Sequence, residues 1–377
     1  MDSIIISELR LFLCTAEMYG MDNCDGLGNL MNRRFTAYDF VVEKNQPQIK
    51  YNIIVGNPPY VEDKSSGLSH DERYGNIYAN VLINAAEHLE SNGAIGFIIP
   101  LSYVSTPRMK KLREKLADLV QEQYILSFAD RPDCLFDSVH QKLCILIGKN
   151  VKSRRNIYTG NYIYWYKEER GKLFDNLQLV KNSFCSDDFI PKLGTQQDVS
   201  IYRKIADTKK MQSIYAVSRI GNESVYLNRR EAFWMKAYRT KVDDPEYKIF
   251  SFESAQEADF CYCVINSSLF WWYWICVSDC WHVSKALNGF TMPVDVDTYP
   301  ASALANALMV RLEETKVYVG TKQTEYEYKH KDCLTEIHAI DDYINSVYGL
   351  DETESEYIKS FALKYRTSGG VAANGCD

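Results

Sequence analysis

Tyr51-Asn52-Ile53-Ile54-Val55-Gly56-Asn57-Pro58-Pro59-Tyr60 is the stretch on which the reading of this chain turns. It opens as a short apolar run stopped by Gly56, the pattern of a strand. The two prolines then fix φ and forbid a helix, so the chain leaves the strand end in a stiff, extended turn. In an open α/β sheet, ligands sit beyond the carboxyl ends of the strands. A rigid turn there holds two acceptors close together, the Asn57 side-chain oxygen and the Pro58 carbonyl, while Tyr60 adds a flat aromatic face. Two fixed acceptors beside a stacking ring suit a planar exocyclic amine, and they would draw proton density from it as it becomes a nucleophile. The plain alternative for the same four residues is a strand break covered by a surface tyrosine.

The flanks decide the fold class. Tyr78, Val81, Leu82, Ala85, Ala86 and Leu89 recur at helical spacing, and Asn92-Gly93 reads as the left-handed end of that helix. Ala94 to Ile99 runs apolar without alternation, as a strand buried on both faces does. Thr106-Pro107 is a cap and first-turn pair opening a helix whose apolar positions are Met109, Leu112, Leu116, Leu119 and Val120. Two more apolar runs follow, Tyr124 to Ala129 and Leu143 to Ile147. Strands alternating with helices predict an α/β layer with a mostly parallel sheet. After Gly148 the texture changes to a basic, aromatic-rich segment, so the expected domains are 1–150 and 151–377. Ile337, Ile340, Ile344 and Val347 predict a helix ending near Gly349, and Asp351 with Glu354 resembles a capping box before a last amphipathic segment. The small, polar stretch from Thr367 to Gly375 reads as disordered.

Composition narrows the classes further. The chain has 377 residues, enough for two domains, with 46% hydrophobic and 25% charged residues, the balance of a folded globular protein. No run approaches the roughly 18 apolar residues of a membrane span. The N-terminus has no secretory pattern, and eleven cysteines form no framework, so the expectation is a reduced, cytoplasmic protein with no membrane partner. The net charge of −7 conceals a division: −4 over residues 1–150, +7 over 151–250 and −10 over 251–377. The basic middle segment is where phosphate contacts are expected, at Arg229 and Arg230 with Lys236, Arg239 and Lys241, against the alternative of a solvated charged face.

Asn57-Pro58-Pro59-Tyr60 in this setting resembles motif IV of the amino-methyltransferases that use S-adenosylmethionine, and the chain as a whole resembles the gamma-class, TaqI-like adenine-N6 DNA methyltransferases of restriction-modification systems. Asp39-Phe40, shortly before the strand, resembles motif III. Gly93 to Pro100 resembles the family's glycine-rich strand segment, and Leu135 to Leu143 resembles motif VIII. Val264 to Phe270 and the Tyr348-Gly349-Leu350 ending resemble features of the recognition region. The resemblance implies a partial Rossmann-like methyltransferase sheet over 1–150, followed by a mixed, helix-rich DNA-recognition domain over 151–377. It implies that Asn57, Pro58 and Tyr60 are catalytic, that Tyr60 and Phe136 stack on a flipped adenine, and that Asp39, Phe40 and Pro59 touch S-adenosylmethionine. The implied partners are double-stranded DNA and a cognate restriction endonuclease.

One expected part is missing from this reading. The family places motif I, a glycine-rich loop after a first strand, before motif III. Here Gly26-Leu27-Gly28 follows a polar stretch instead of a strand and reads as a turn. The expectation is that motif I comes from a second subunit or has been lost by truncation. Other candidates are weaker. Cys276 and Cys280 have a zinc-like spacing but lie among tryptophans, where buried thiols are ordinary, so no metal is expected. Phe270 to Trp274 reads as core. Lys285, Asn288 and Phe290 are candidate DNA contacts, and His140 reads as structural. Two further functions stay open: a non-catalytic DNA-recognition subunit or remnant, and a protein glutamine methyltransferase, whose compact form leaves over 200 residues here without a purpose.

Overall fold

In the computed structural model, Tyr51–Gly56 is a strand (β1) that runs parallel to Leu89–Pro100 (β2), with Val55 opposite Gly96 and Gly56 opposite Phe97. The structure describes residues 2–20, 49–67, 74–137, 139–152, 154–206, 211–218, 220–242, 244–283, 287, 289–294, 296–320 and 325–367. Glu122–Phe128 (β3), Leu143–Lys149 (β4), Asn156–Ile163 (β5) and Val180–Lys181 (β6) complete a six-stranded sheet in the order β1-β2-β4-β3-β5-β6. The α/β class expected from the alternating elements is the one found, with a helix-rich region following the sheet. The sheet is mixed instead of mostly parallel. β4 is antiparallel to both β2 and β3, because the short hairpin from Ala129 to Lys142 returns the chain directly beside β3 without a crossover helix. Two strands of the sheet, β5 and β6, come from beyond residue 150.

After an N-terminal helix (α1, Asp2–Tyr19), Ile77–Glu87 (α2) and Lys110–Leu119 (α3) are the helices that pack on the sheet. Asn76 caps α2 by accepting from the Tyr78 N–H. That helix ends at Glu87, earlier than expected, and the left-handed residue is Asn92 (φ 67°), which lies in the irregular start of β2. Thr106-Pro107 opens a short 3₁₀ turn into α3, but the Thr106 hydroxyl bonds back to the Ser102 carbonyl and does not cap the turn. The two helices cover one face of the sheet, burying Ile95, Phe97, Ile99, Ile125 and Leu146. The other face is open at the β1 end. Val55, Gly96 and Ile147 lie in one row across three strands, and Ile53 (71% exposed), Val55 (74%) and Ile147 (46%) point apolar side chains outward. β1 is also the edge strand of the sheet among the described residues.

The second region begins with Gln196–Ala206 (α4), a short strand at Met211–Ser213 (β7) and a three-stranded antiparallel sheet of Glu223–Asn228 (β8), Ala237–Tyr238 (β9) and Tyr247–Phe252 (β10). Ala255–Asn266 (α5) and Ser268–Val277 (α6) form its core, each with a serine N-cap, Ser254 and Ser267. Every residue of α6 is buried, so Phe270 to Trp274 is core as expected. No single helix among the described residues is long and apolar enough to cross a membrane; α5 and α6 reach that length only as a pair bent by 57°. Tyr299–Thr315 (α7), Leu334–Val347 (α8), Glu352–Ser360 (α9) and Leu363–Thr367 (α10) follow, with the expected Asp351–Glu354 capping box on α9 and Gly349 left-handed after α8. The end of the chain ties the two regions together. The Arg366 guanidinium lies 4.0 Å from the Trp234 ring centre and 4.2 Å from that of Trp271, and Tyr365 stacks on Tyr164 beyond the end of β5. The segment expected to be disordered lies, past Thr367, outside the described residues.

Candidate active site

Gly56 closes β1 because nothing larger fits. A Cβ placed on it would meet the Phe97 ring at 2.7 Å, and Phe97 is buried on the paired strand. The chain then turns outward through Asn57-Pro58-Pro59-Tyr60, with Pro58 buried and Asn57 and Pro59 exposed. The Tyr60 hydroxyl is within hydrogen-bond reach of two acceptors, the Asn57 Oδ1 and, at 2.9 Å, the Ile98 carbonyl on β2. The turn is therefore fastened to the sheet by its last residue, and the tyrosine ring has a fixed plane. Partial burial, with a smaller effect of the neighbouring Cys144 thiol, pushes the Tyr60 phenol up to about 12, so it stays a proton donor through ordinary pH. Burial holds Cys144 itself in the thiol form, and its Sγ lies 3.7 Å from the Pro100 carbonyl. The sequence-predicted strand, turn and acceptors thus come together at one end of β1.

Phe136 sits on the hairpin between β3 and β4. It is half-buried, its carbonyl accepts from the Val139 N–H at 3.0 Å, and its ring makes no contact with that of Tyr60. The hairpin is held from below by a residue that the sequence reading missed. Arg170 donates to the carbonyls of Cys134 (2.8 Å) and Leu135 and pairs with Asp133 at 3.3 Å. Trp165 adds an indole N–H to Asp133 at 3.2 Å. No local pattern marks Arg170, which lies in the basic segment about thirty residues beyond the hairpin. His140 is exposed, with its Nδ1 3.2 Å from the Asp130 carbonyl.

Asp39 and Phe40 lie outside the described residues, as do Lys285 and Asn288, and Gly26 to Gly28 with them. Of the expected cofactor contacts only Pro59 is described, at the open end of β1. Arg229 and Arg230 are exposed between β8 and β9, with Arg230 paired to Glu246 at 3.2 Å. Arg239 is not available to phosphate, because Asp259 (2.9 Å) and Glu223 (2.6 Å) already hold its guanidinium. Phe290 is fully buried against Phe270 and Tyr273 and is part of the core, not a DNA contact. Burial pushes the Cys276 thiol well above its usual range and raises that of Cys280.

Comparison with known proteins bears on the same segment. Residues 6–134 match the family model of the Eco57I restriction-modification methylases. The modification methylase CviBIII of Paramecium bursaria Chlorella virus NC1A is 30% identical over 174 residues, 42% of this chain and 42% of that protein. The chain therefore matches less than half the length of this curated relative. Among solved structures, the Type IIL restriction-modification enzyme MmeI in complex with DNA is similar over 83% of this chain and 56% of its own (11% identity, TM-score 0.44). The type IIG restriction endonuclease BpuSI is similar over 84% and 53% (12% identity, TM-score 0.29).

Proposed function

We propose that this chain belongs to the restriction-modification DNA methylases and takes part in methylating adenine at N6 in double-stranded DNA. The observation that carries the reading is the Asn57–Tyr60 turn, fastened at the carboxyl end of β1 within the segment that matches the Eco57I methylase model. In this reading residues 1–150 serve methyl transfer and residues 151–377 serve target recognition, with Arg229, Arg230, Lys285 and Asn288 toward the DNA and a cognate endonuclease as partner.

A base inside a duplex is out of reach of such a turn, so the adenine is flipped out at a cost of a few kcal/mol. Tyr60 and Phe136 then offer it stacking faces, each worth about 1–3 kcal/mol. Asn57 Oδ1 and the Pro58 carbonyl accept from the exocyclic amine and orient its lone pair. S-adenosylmethionine, when bound, supplies the methyl group. No covalent bond to the protein is needed; positioning and fixed dipoles perform the catalysis.

The described residues do not by themselves make a site for that cofactor. They provide acceptors on the base side and the exposed Pro59, but neither a glycine-rich loop nor a carboxylate beside the end of β1. We therefore assign the rest of the cofactor site to Asp39 and Phe40 and to a further polypeptide segment carrying motif I. Among the described residues β1 is an edge strand with Ile53, Val55 and Ile147 exposed beside it, and edges and apolar faces of this kind are ordinarily covered, which favours such a neighbour.

The test is transfer of labelled methyl from S-adenosylmethionine to unmethylated, sequence-diverse DNA by the full chain, with Asn57→Ala alongside. Incorporation lost in the variant supports adenine methylation by this turn. If the chain is inactive alone but gains activity with an added motif I segment, the two-part cofactor site is right. Inactivity in both arms overturns the catalytic reading and leaves DNA recognition without turnover.

A further inference from the structure

The seam between the two regions contains a small open cleft of about 80 Å³ at the same end of the sheet as the Asn57–Tyr60 turn. One wall is the end of β3, the start of β4 and the end of β5, contributing Asp130, Lys142 and Tyr162. The other is the β8–β9 loop and the segment after α6, contributing Glu231, Phe233 and Trp281. Lys142 connects the cleft to the candidate active site, because its carbonyl accepts from the Leu101 N–H three residues beyond the Ile98 carbonyl that holds Tyr60.

The walls combine flat rings with polar groups short of partners. Glu231 is 6% exposed; one carboxyl oxygen accepts from the Lys236 N–H at 2.9 Å and the other has no hydrogen-bond partner. Tyr162 is 3% exposed, and its hydroxyl has no oxygen or nitrogen hydrogen-bond partner, with the Cys280 thiol beside it. Buried polar groups left in this state are costly and call for a partner. Lys142 lies 3.7 Å from Asp130 and 4.6 Å from the Trp281 ring centre, while Arg131, also on the wall, has no carboxylate paired to it among the described residues. Burial pushes the Glu231 carboxyl well above its usual range, which favours the protonated form, with an O–H together with an acceptor. An isolated anion engages Arg131 but leaves the rings and the orphan groups unused, and an alkyl ligand leaves the polar groups unsatisfied. A neutral planar ring with donors and acceptors on its edge satisfies both the rings and the orphan groups.

We propose that this cleft receives a nucleobase of the bound DNA other than the one presented to Asn57 and Tyr60. The proposal rests on the DNA-methylation reading above and adds a second base contact to it. The base is a second one because β2 and β4 separate the end of β1, where Asn57 holds the first, from the cleft wall at the end of β3, about 14 Å at the usual strand spacing. Trp281, 43% exposed at the rim, supplies the stacking face, and Glu231 with Tyr162 reads the edge.

The experiment is irradiation of the full chain bound to a pool of sequence-diverse duplex DNA, followed by mass mapping of the cross-linked peptides, with affinity measured on the same pool. Cross-links at Trp281, Phe233 or Tyr162 are expected, with about tenfold weaker binding in Trp281→Ala and recovery in Trp281→Phe. Glu231→Gln, which keeps shape and neutrality but exchanges the O–H for an amide, should retain affinity on the pool and change which sequences are enriched from it. Because Trp281 is partly exposed, its variants are expected to melt like the parent. DNA that binds but cross-links elsewhere, with Trp281→Ala binding like the parent, overturns the cleft proposal and leaves the methylation reading standing. Failure of the full chain to bind DNA overturns both.

Discussion

The Tyr60 hydroxyl lies between the Asn57 side-chain oxygen and the Ile98 carbonyl and has one proton to share between them. A proton given to Asn57 occupies the acceptor that an incoming amine needs; a proton given to Ile98 frees it. Binding of an adenine amine therefore favours the Ile98 bond, and the hydroxyl keeps Asn57 oriented until that moment. Tyr60→Phe should retain stacking and lose this orientation, lowering methyl transfer by a small factor. Tyr60→Ala should lose the stacking as well, on the order of 5- to 150-fold. Both are read by methyl transfer under conditions in which the parent chain is active, with 2-aminopurine fluorescence reporting base flipping. Equal losses in the two variants would show that the ring does not stack on the base.

The end of β1 tolerates no side chain. Gly56→Ala places a methyl group 2.7 Å from the Phe97 ring, which is buried and cannot swing away. Overpacking of this kind costs about 1–3 kcal/mol, and the relief is as specific as the clash. Gly56→Ala should therefore lower the melting temperature, and Gly56→Ala with Phe97→Leu should recover part of the loss. Additive losses in the double variant would mean that the two residues do not press on each other.

How much of this was legible in the sequence follows from what each signal depends on. The strand, the Pro-Pro turn, the tail helices and the Asp351–Glu354 box are local patterns, and each is found at or near its expected place. Phe270 to Trp274 declared itself as core by bulk alone. The antiparallel β4 was not legible, because an apolar run reads the same in either direction and only the short Ala129–Lys142 connection fixes it. Arg239 looked like a free cation until Glu223 and Asp259 were seen beside it, and Phe290 looked exposed beside polar neighbours. Arg170 and the Glu231–Trp281 cleft depend on residues far apart in the chain, for which one sequence carries no signal.

Arg170 makes a prediction of its own. It supports the Phe136 hairpin from beneath through the Cys134 and Leu135 carbonyls and Asp133. Arg170→Ala leaves those carbonyls to water and loosens the hairpin without touching Asn57 or Tyr60. Amide exchange across residues 131–142 should quicken while β1 and β2 keep their protection. Methyl transfer should fall mainly in kcat, because Phe136 then meets the flipped base in a broader range of positions. Unchanged exchange in the hairpin would assign Arg170 to the surface alone.

The strap at the end of the chain gives the last prediction, a dependence on pH. Asp341 is fully buried on α8, accepting from the Ser268 N–H at 2.7 Å near the Arg366 guanidinium. Burial is the dominant influence and pushes its carboxyl up from 3.8 to about 6, with Ser268 and Arg366 opposing. The folded protein thus holds this proton more tightly than the unfolded chain does. The associated stability is full below the unfolded value and declines as pH rises through about 6, by about 3 kcal/mol in all. Asp341→Asn keeps an acceptor for Ser268 and has no charge to bury, so its stability should lack this decline. Other groups, among them the buried His330, titrate alike in both proteins and cancel in the comparison. Denaturant unfolding of parent and variant between pH 4 and 7 should therefore give curves whose separation shifts in favour of the variant as pH rises. Any pH-independent cost of the side-chain exchange offsets the curves without changing that slope, and a constant separation would show that Asp341 does not titrate in this range.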